Sequence, residues 1–109
     1  MSQVSARIGD LIGRHDVVLF MKGVPASPEC GFSAAVVQIL AKVGVAYDSV
    51  NVLEDSEMRE GVKAYSNWPT IPQLYIKGEF IGGCDIVREM YRSGELKSLL
   101  DAKAVPHAA

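Results

Sequence analysis

Five consecutive apolar residues, Val17-Val18-Leu19-Phe20-Met21, constrain this chain's fold more than any other segment. Side chains alternate between faces along a strand, so an unbroken apolar run must be covered on both sides. Such a run reads as a strand at the centre of a sheet with parallel neighbours. The covers must be helices, and the flanking sequence supplies them. Val4, Ile8, Leu11 and Ile12 recur at helical spacing, which predicts an amphipathic helix over residues 3–14. Residues 31–43 are apolar almost all round, which predicts a well-buried helix ended by Gly44.

The remaining punctuation completes an alternating pattern. Residues 23–29 contain Pro25 and Pro28 and read as a loop. Residues 46–52 read as a second strand. Asp55 or Ser56 can cap a helix running to about Ser66, followed by Asn67-Trp68-Pro69. Gln73-Leu74-Tyr75-Ile76, then Lys77-Gly78, then Glu79-Phe80-Ile81 is a hairpin signal with a tight X-Gly turn. Gly82-Gly83 ends the strand. Helices over 85–92 and 95–102 are split by Ser93-Gly94, and the tail from Val105 to Ala109 is expected to fray. The order α-β-α-β-α-β-β-α-α places the chain in the α/β class, with one sheet between helices on both faces and a right-handed first crossover. At 109 residues the chain is read as a single domain, 1–109, with an ordered core over about 3–102.

Charge and cysteine usage exclude several functions. A formal net charge of −2 advertises no nucleic-acid or anionic-membrane surface. The longest apolar run is far too short to span a bilayer. Met1-Ser2-Gln3-Val4 lacks a basic stretch followed by an apolar one, and Asp10 and Asp16 argue against a transit peptide. The expected compartment is therefore the cytoplasm, where thiols stay reduced. Cys30 and Cys84 are the two cysteines, too few for a disulfide framework and too few to hold a zinc or iron–sulfur site alone. His15 and His107 have no metal-ligand spacing with either, so any metal chemistry must borrow ligands from outside the chain.

Cys30 falls between a proline-containing loop and the start of a buried helix. Free N–H groups and the positive helix terminus at such a place lower a thiol's pKa, and Lys22 can add a full charge. The alternative is an inert buried cysteine, against which Pro28-Glu29 argue for a surface position. Ser33, fourth in Cys30-Gly31-Phe32-Ser33, cannot close a disulfide within the motif, although it can help to cap the helix. An oxidised Cys30 must therefore pair with Cys84 or with a thiol from solution. Pro72, in Trp68-Pro69-Thr70-Ile71-Pro72-Gln73, marks the first position of a strand, and the residues alone favour a trans bond before it. Gly82-Gly83-Cys84-Asp85 leads into a helix N-terminus, which suits either a carboxylate ligand or a plain Asp cap. Arg59 and Lys63 share a helical face and, with Lys22, can hold a small anion; without further information a solvated basic face balanced by Glu57 and Glu60 is favoured.

Taken in order, Met21-Lys22-Gly23, Cys30-Gly31-Phe32-Ser33, Arg59, Trp68-Pro69-Thr70-Ile71-Pro72-Gln73 and Gly82-Gly83-Cys84-Asp85 resemble the monothiol glutaredoxins of the Cys-Gly-Phe-Ser type over roughly residues 3–102. The resemblance implies a thioredoxin-like fold, with a four-stranded mixed sheet, helices on both faces, an extra N-terminal helix and a cis Pro72 facing Cys30. It implies glutathione as ligand. Lys22 and Arg59 would hold its glycine end, the Ile71 backbone would pair with its cysteinyl residue as an added strand, and Cys84-Asp85 would take its γ-glutamyl end. Phe32 would lie beside the thiol. Ile71 stands where the family often has phenylalanine, and no loss of binding is expected because its backbone makes the contact.

The resemblance further implies a [2Fe–2S] cluster shared between two subunits. Two Cys30 sulfurs and two glutathione thiols would make the four thiolates, with Cys30 the metal ligand contributed by each chain. BolA-like proteins and apo iron–sulfur clients are the partners it implies. Enzymatic activity would be at most a weak glutathione-dependent thiol–disulfide exchange, since the 23–29 loop and Ser33 fit the weak members. The leading expectation is thus a cluster carrier; an oxidoreductase that removes glutathione from protein thiols and an iron-sensing module acting through a BolA-like partner are the competing ones.

Overall fold

A computed structural model describes residues 3–108 of the chain. Met1 and Ser2, on which part of the argument against a targeting segment rests, lie outside the described residues, as does Ala109. Helix α1 (Gln3–Arg14) leads into strand β1 (Val17–Met21), and a short hairpin of β2 (Gly23–Val24) and β3 (Ser27–Pro28) follows. Then come α2 (Gly31–Val43), β4 (Asp48–Asn51), a 3-10 turn over Val52–Glu54, and α3 (Ser56–Ser66). The chain closes with β5 (Gln73–Ile76), β6 (Glu79–Gly82), α4 (Cys84–Ser93) and α5 (Glu95–Ala102). No helix among the described residues is long and apolar enough to cross a membrane.

The main sheet runs in the order β4-β1-β5-β6, so the apolar run does occupy a central strand. The run by itself suggested parallel neighbours, the family resemblance implied a mixed sheet, and the mixed sheet is what forms. β4 is parallel to β1, but β5 is antiparallel. Gln73, which starts β5, sits opposite Phe20 near the C-terminal end of β1, so β5 has only the return direction open to it. β6 then pairs antiparallel with β5, which gives the mixed four-stranded sheet.

Alternation along β1 divides its side chains between two cores. Val17, Leu19 and Met21 pack with Val36, Leu40 and Val43 of α2 and with Val87, Leu96 and Leu100 of the last two helices. Val18 and Phe20 face the opposite side, against Ile8 and Ile12 of α1 and Met58 and Val62 of α3. Each such side chain contributes about 1.5–3 kcal/mol by leaving water. Asp55 caps α3 by accepting from the Met58 N–H at 3.1 Å, and Arg7 of α1 reaches the same carboxylate at 3.2 Å. Those two partners hold the Asp55 carboxyl below the usual carboxylate range, the Met58 N–H more than Arg7.

Two segments expected to be loose are ordered. Residues 23–29 form the β2–β3 hairpin, in which Gly23 pairs with Pro28 and Val24 with Ser27. Proline is tolerated there because a two-strand ribbon leaves its outer edge without ladder bonds. The tail also departs from the fraying expectation over residues 105–108. Val105 is only 4% exposed, His107 bridges Val45, and the Ala108 N–H donates to the Gly44 carbonyl at 3.1 Å. The reason lies at the end of α2. Gly44 adopts φ of 73°, and a Cβ there would stand 2.5 Å from the Ala108 Cβ, so only glycine leaves room for the tail. His107 Nε2, 2.7 Å from Asp101 Oδ1, adds a second tether.

Candidate functional site

The C-terminal end of β1 and the N-termini of α2 and α4 converge on one groove of about 470 Å³. Lys22, Cys30, Phe32, Arg59, Ile71, Cys84 and Asp85, every site residue singled out from the sequence, line it.

Backbone bonds put Cys30 where it is. The β2–β3 hairpin leaves the framework at Lys22 and returns at Glu29, whose N–H donates to the Lys22 carbonyl at 2.9 Å. Gly23 N–H donates to Asn51 Oδ1 at 2.9 Å, which fastens the hairpin's root to β4. Cys30 is the N-cap residue of α2 in an extended conformation, and its side chain makes no cap bond. The thiol is half-buried and sits over the free N–H groups of the first turn. Its pKa is lowered. The Ser33 N–H does most, burial opposes it, and the Phe32 N–H, the Lys22 charge and the Ser33 hydroxyl add smaller effects. Lys22 is thus a lesser contributor than the helix terminus.

Ser33 is more than a helix cap. It is completely buried, and its Oγ accepts the Lys22 N–H at 3.1 Å, which ties the first turn of α2 to the end of β1. A cysteine there would be a poorer acceptor and would change that tether as well as the redox chemistry.

The opposite wall is organised by a buried glutamine. The Ile71–Pro72 bond is cis, as the family resemblance implied and against the reading from the residues alone. Gln73, fully buried, donates from Nε2 to the carbonyls of Trp68 (3.1 Å) and Thr70 (3.2 Å) and accepts from the Tyr75 hydroxyl at 3.1 Å. Burial pushes the Tyr75 phenol up to about 12, so it remains a donor to Gln73 at any physiological pH. The Gln73 role was missed from the sequence. Its signal is a lone amide in an otherwise apolar strand, and only long-range contacts reveal what it holds. Trp68 stacks at a tilt on Phe80 with ring centroids 5.8 Å apart. Gly83 is a place of close approach, since a Cβ there would lie 3.2 Å from the Pro72 carbonyl and 3.4 Å from Trp68 Nε1.

Charge is divided along the groove. Lys22, Arg59 and Lys63 line it from β1's end and α3. Lys63 pairs with Glu60 at 3.0 Å, so the balanced basic face expected from the sequence exists in part, and the same lysine still lines the groove. Cys84 opens α4 and is buried, and burial pushes its thiol up while Arg88 partly opposes the rise. Arg88 Nη2 lies 3.4 Å from its sulfur. Asp85 is exposed, with Arg88 Nη1 3.8 Å from its Oδ1. Both thiols are free. Among the described residues no cluster of three or more His, Cys, Asp or Glu could hold a metal ion. The site therefore offers one accessible, acidified thiol beside a cationic groove, and a second thiol that is buried and protonated.

The Cys30 acidification has a direct readout. Alkylation by iodoacetamide across pH should show a midpoint below the free-thiol value of about 8.5, because only the thiolate reacts and its N–H partners favour that form. A midpoint at or above that value would refute the electrostatics described.

Known proteins resemble this chain in sequence and in fold. The family profile described as Glutaredoxin matches residues 17–81. A "Probable monothiol glutaredoxin 2" of Rickettsia conorii is 59% identical over 91 residues, covering 84% of this chain and 85% of that protein. A truncated, monomeric mutant of Trypanosoma brucei 1-C-Grx1 superposes with a TM-score of 0.89 at 43% identity, over 100% of this chain and 99% of that one. A buckwheat glutaredoxin, solved as a complex with glutathione, shares the fold at 24% identity with a TM-score of 0.81, over 94% of this chain and 91% of that one. With its Cys30-Gly31-Phe32-Ser33 motif at the head of α2 and matches of this extent, the chain belongs to the glutaredoxin family, in its monothiol class.

Proposed function

We propose that this glutaredoxin binds glutathione along the groove and carries a [2Fe–2S] cluster as cargo between two copies of the chain. The observation that carries the reading is the contrast between its thiols. Cys30 is accessible with a lowered pKa, whereas Cys84 is buried with a raised one. Each chain thus supplies one thiolate, and a four-thiolate cluster shared by two chains needs two more from solution. Glutathione suits that place chemically. Lys22 and Arg59 offer charge-assisted bonds to its glycine carboxylate, the backbone at Ile71, just before β5, offers strand-like pairing, and the start of α4 with Asp85 suits an α-amino acid head. Phe32, 61% exposed beside the thiol, gives a second copy an apolar surface to meet. A BolA-like protein in place of one copy, and apo iron–sulfur proteins as recipients, complete the proposal on the strength of the family resemblance, in a compartment that keeps thiols reduced.

The acidified thiol also supports a second reading, glutathione-dependent reduction of mixed disulfides. There the Cys30 thiolate attacks a glutathionylated protein and free glutathione resolves the enzyme's own mixed disulfide. One experiment separates the two. Anaerobic reconstitution with iron and sulfide should give a dimer with two glutathiones per cluster and visible sulfur-to-iron charge-transfer absorption. Replacing glutathione by dithiothreitol at equal reducing power should prevent it. An equally long-lived cluster without glutathione would overturn the ligand assignment. Absence of any cluster alongside rapid deglutathionylation would favour the oxidoreductase.

A further inference from the structure

Outside the thiol groove one concave surface stands apart in charge. Helices α2 and α4 border a cleft of about 390 Å³. Ala35, Gln38, Ile39 and Lys42 line it from α2, at the spacing of a single helical stripe, and Arg88, Tyr91 and Arg92 line it from α4. The floor is apolar through Ala35 and Ile39. Three cations and no carboxylate line the cleft, in a chain whose net charge is −2. Arg92 pairs with Glu89 at the rim and Arg88 stands 3.8 Å from Asp85, but such exposed pairs are worth only about 0–1 kcal/mol and can be shared with an incoming carboxylate. Lys42 has no ion-pair partner among the described residues.

Arg88 stands between the cleft and the thiol groove. Arg88 lines the cleft while its Nη2 lies 3.4 Å from Cys84 Sγ, and Cys84 lines the groove with Cys30. A segment lying between the helices therefore has the groove that holds the reactive thiol beside it. We propose that the α2–α4 cleft is the docking surface for an acidic helical segment of a partner protein, whose carboxylates pair with Lys42, Arg88 and Arg92 and whose apolar face covers Ala35 and Ile39. A cleft between two helices fits an amphipathic helix, and complementary charge fixes its register and speeds encounter. The surface serves either reading of the Cys30 chemistry, because both need a partner protein brought to that sulfur.

The test uses the full chain, isotope-labelled, with an amphipathic peptide of about 14 residues built from Leu-Ala-Glu-Leu-Glu-Ala-Glu repeats, long enough to become helical on docking. A peptide with lysine in place of glutamate is the control. The acidic peptide should shift the backbone amides of residues 35–42 and 88–92. Its dissociation constant should rise at least about tenfold in Lys42→Glu/Arg92→Glu, and binding should weaken between about 50 and about 300 mM NaCl. The neutral pair Lys42→Gln/Arg92→Gln should give an intermediate loss, and it serves alone if the charge reversal disturbs the fold. Fluorescence of Trp68, the single tryptophan and a lining residue of the thiol groove, should titrate with glutathione unchanged in both variants. Absence of localised shifts, equal binding of the lysine peptide or undiminished binding by the variants would overturn the proposal. So would the same shifts produced by inorganic phosphate alone, which would mark a small-anion site, or concentration-dependent self-association through this face.

Discussion

Cys30→Ser is expected to abolish the reconstituted cluster, whereas Cys84→Ser should retain most of it. The difference follows from the two environments rather than from the count of cysteines. Cys30 caps α2 with its sulfur free of any cap bond, and the Ser33 and Phe32 N–H groups favour its thiolate. A serine hydroxyl at that place does not ionise near neutral pH and offers iron a poor ligand, so the loss should be complete. Cys84 is 7% exposed, has its pKa raised by burial, and keeps its sulfur against Arg88. It lines the groove at the start of α4, and the proposed ligand contact there uses its backbone rather than its sulfur. Serine there preserves the backbone and loses only a buried sulfur contact. Iron content and visible absorption of the two variants, both checked for folding by circular dichroism, measure the contrast. A folded Cys84→Ser protein that bound no iron would show that the second thiol is a ligand after all.

Phe20→Ala should destabilise the domain by about 3–5 kcal/mol, with the urea midpoint lowered and the slope unchanged. Phe20 is completely buried on the α1/α3 side of β1, and its ring meets Tyr75 edge-on with centroids 5.6 Å apart. The substitution removes the transfer free energy of the ring, leaves a cavity and strips one aromatic contact from Tyr75. Tyr75 donates to Gln73, and Gln73 holds the Trp68 and Thr70 carbonyls, so the cavity lies two contacts from the groove wall. Glutathione affinity should therefore fall together with stability. A loss under about 1 kcal/mol would mean that the α1/α3 layer collapses onto the gap, against the close packing described. Against a total of about 5–15 kcal/mol for an ordinary domain, the expected loss leaves a visibly unfolded fraction at moderate temperature.

Much of this architecture was legible before any coordinates. The run 17–21 announced a two-sided central strand, the stripe of Val4, Ile8, Leu11 and Ile12 announced α1, and of the two caps offered for α3, Asp55 and Ser56, Asp55 is the one used. These are local statements, each resting on periodicity or on one turn of backbone. The antiparallel return of β5 (implied only by the family resemblance), the hairpin at 23–28 and the docked tail were not legible in local patterns, because each depends on a partner far along the chain: Phe20 for Gln73, Asn51 for Gly23, Val45 for His107.

The site divides along the same line. Residue types and order sufficed to pick out Lys22, Cys30, Phe32, Arg59, Ile71, Cys84 and Asp85 as candidates. The acidic thiol was also foreseeable, since a cysteine at a helix start meets that helix's own N–H groups whatever surrounds it. Only the tertiary structure decided which sulfur is accessible and which is not. Burial of Cys84 comes from α4 packing across the end of the sheet beside α2, whereas its contact with Arg88 is one turn of α4 itself. Only the tertiary structure, too, turned Gln73 and Ser33 from ordinary polar residues into fasteners of the two groove walls, and gathered Lys42, Arg88 and Arg92 from two helices into one basic cleft. Sequence sets what a residue can do within its own few turns of chain. Desolvation, charge gathered across elements and the pairing of buried polar groups depend on neighbours that only packing supplies.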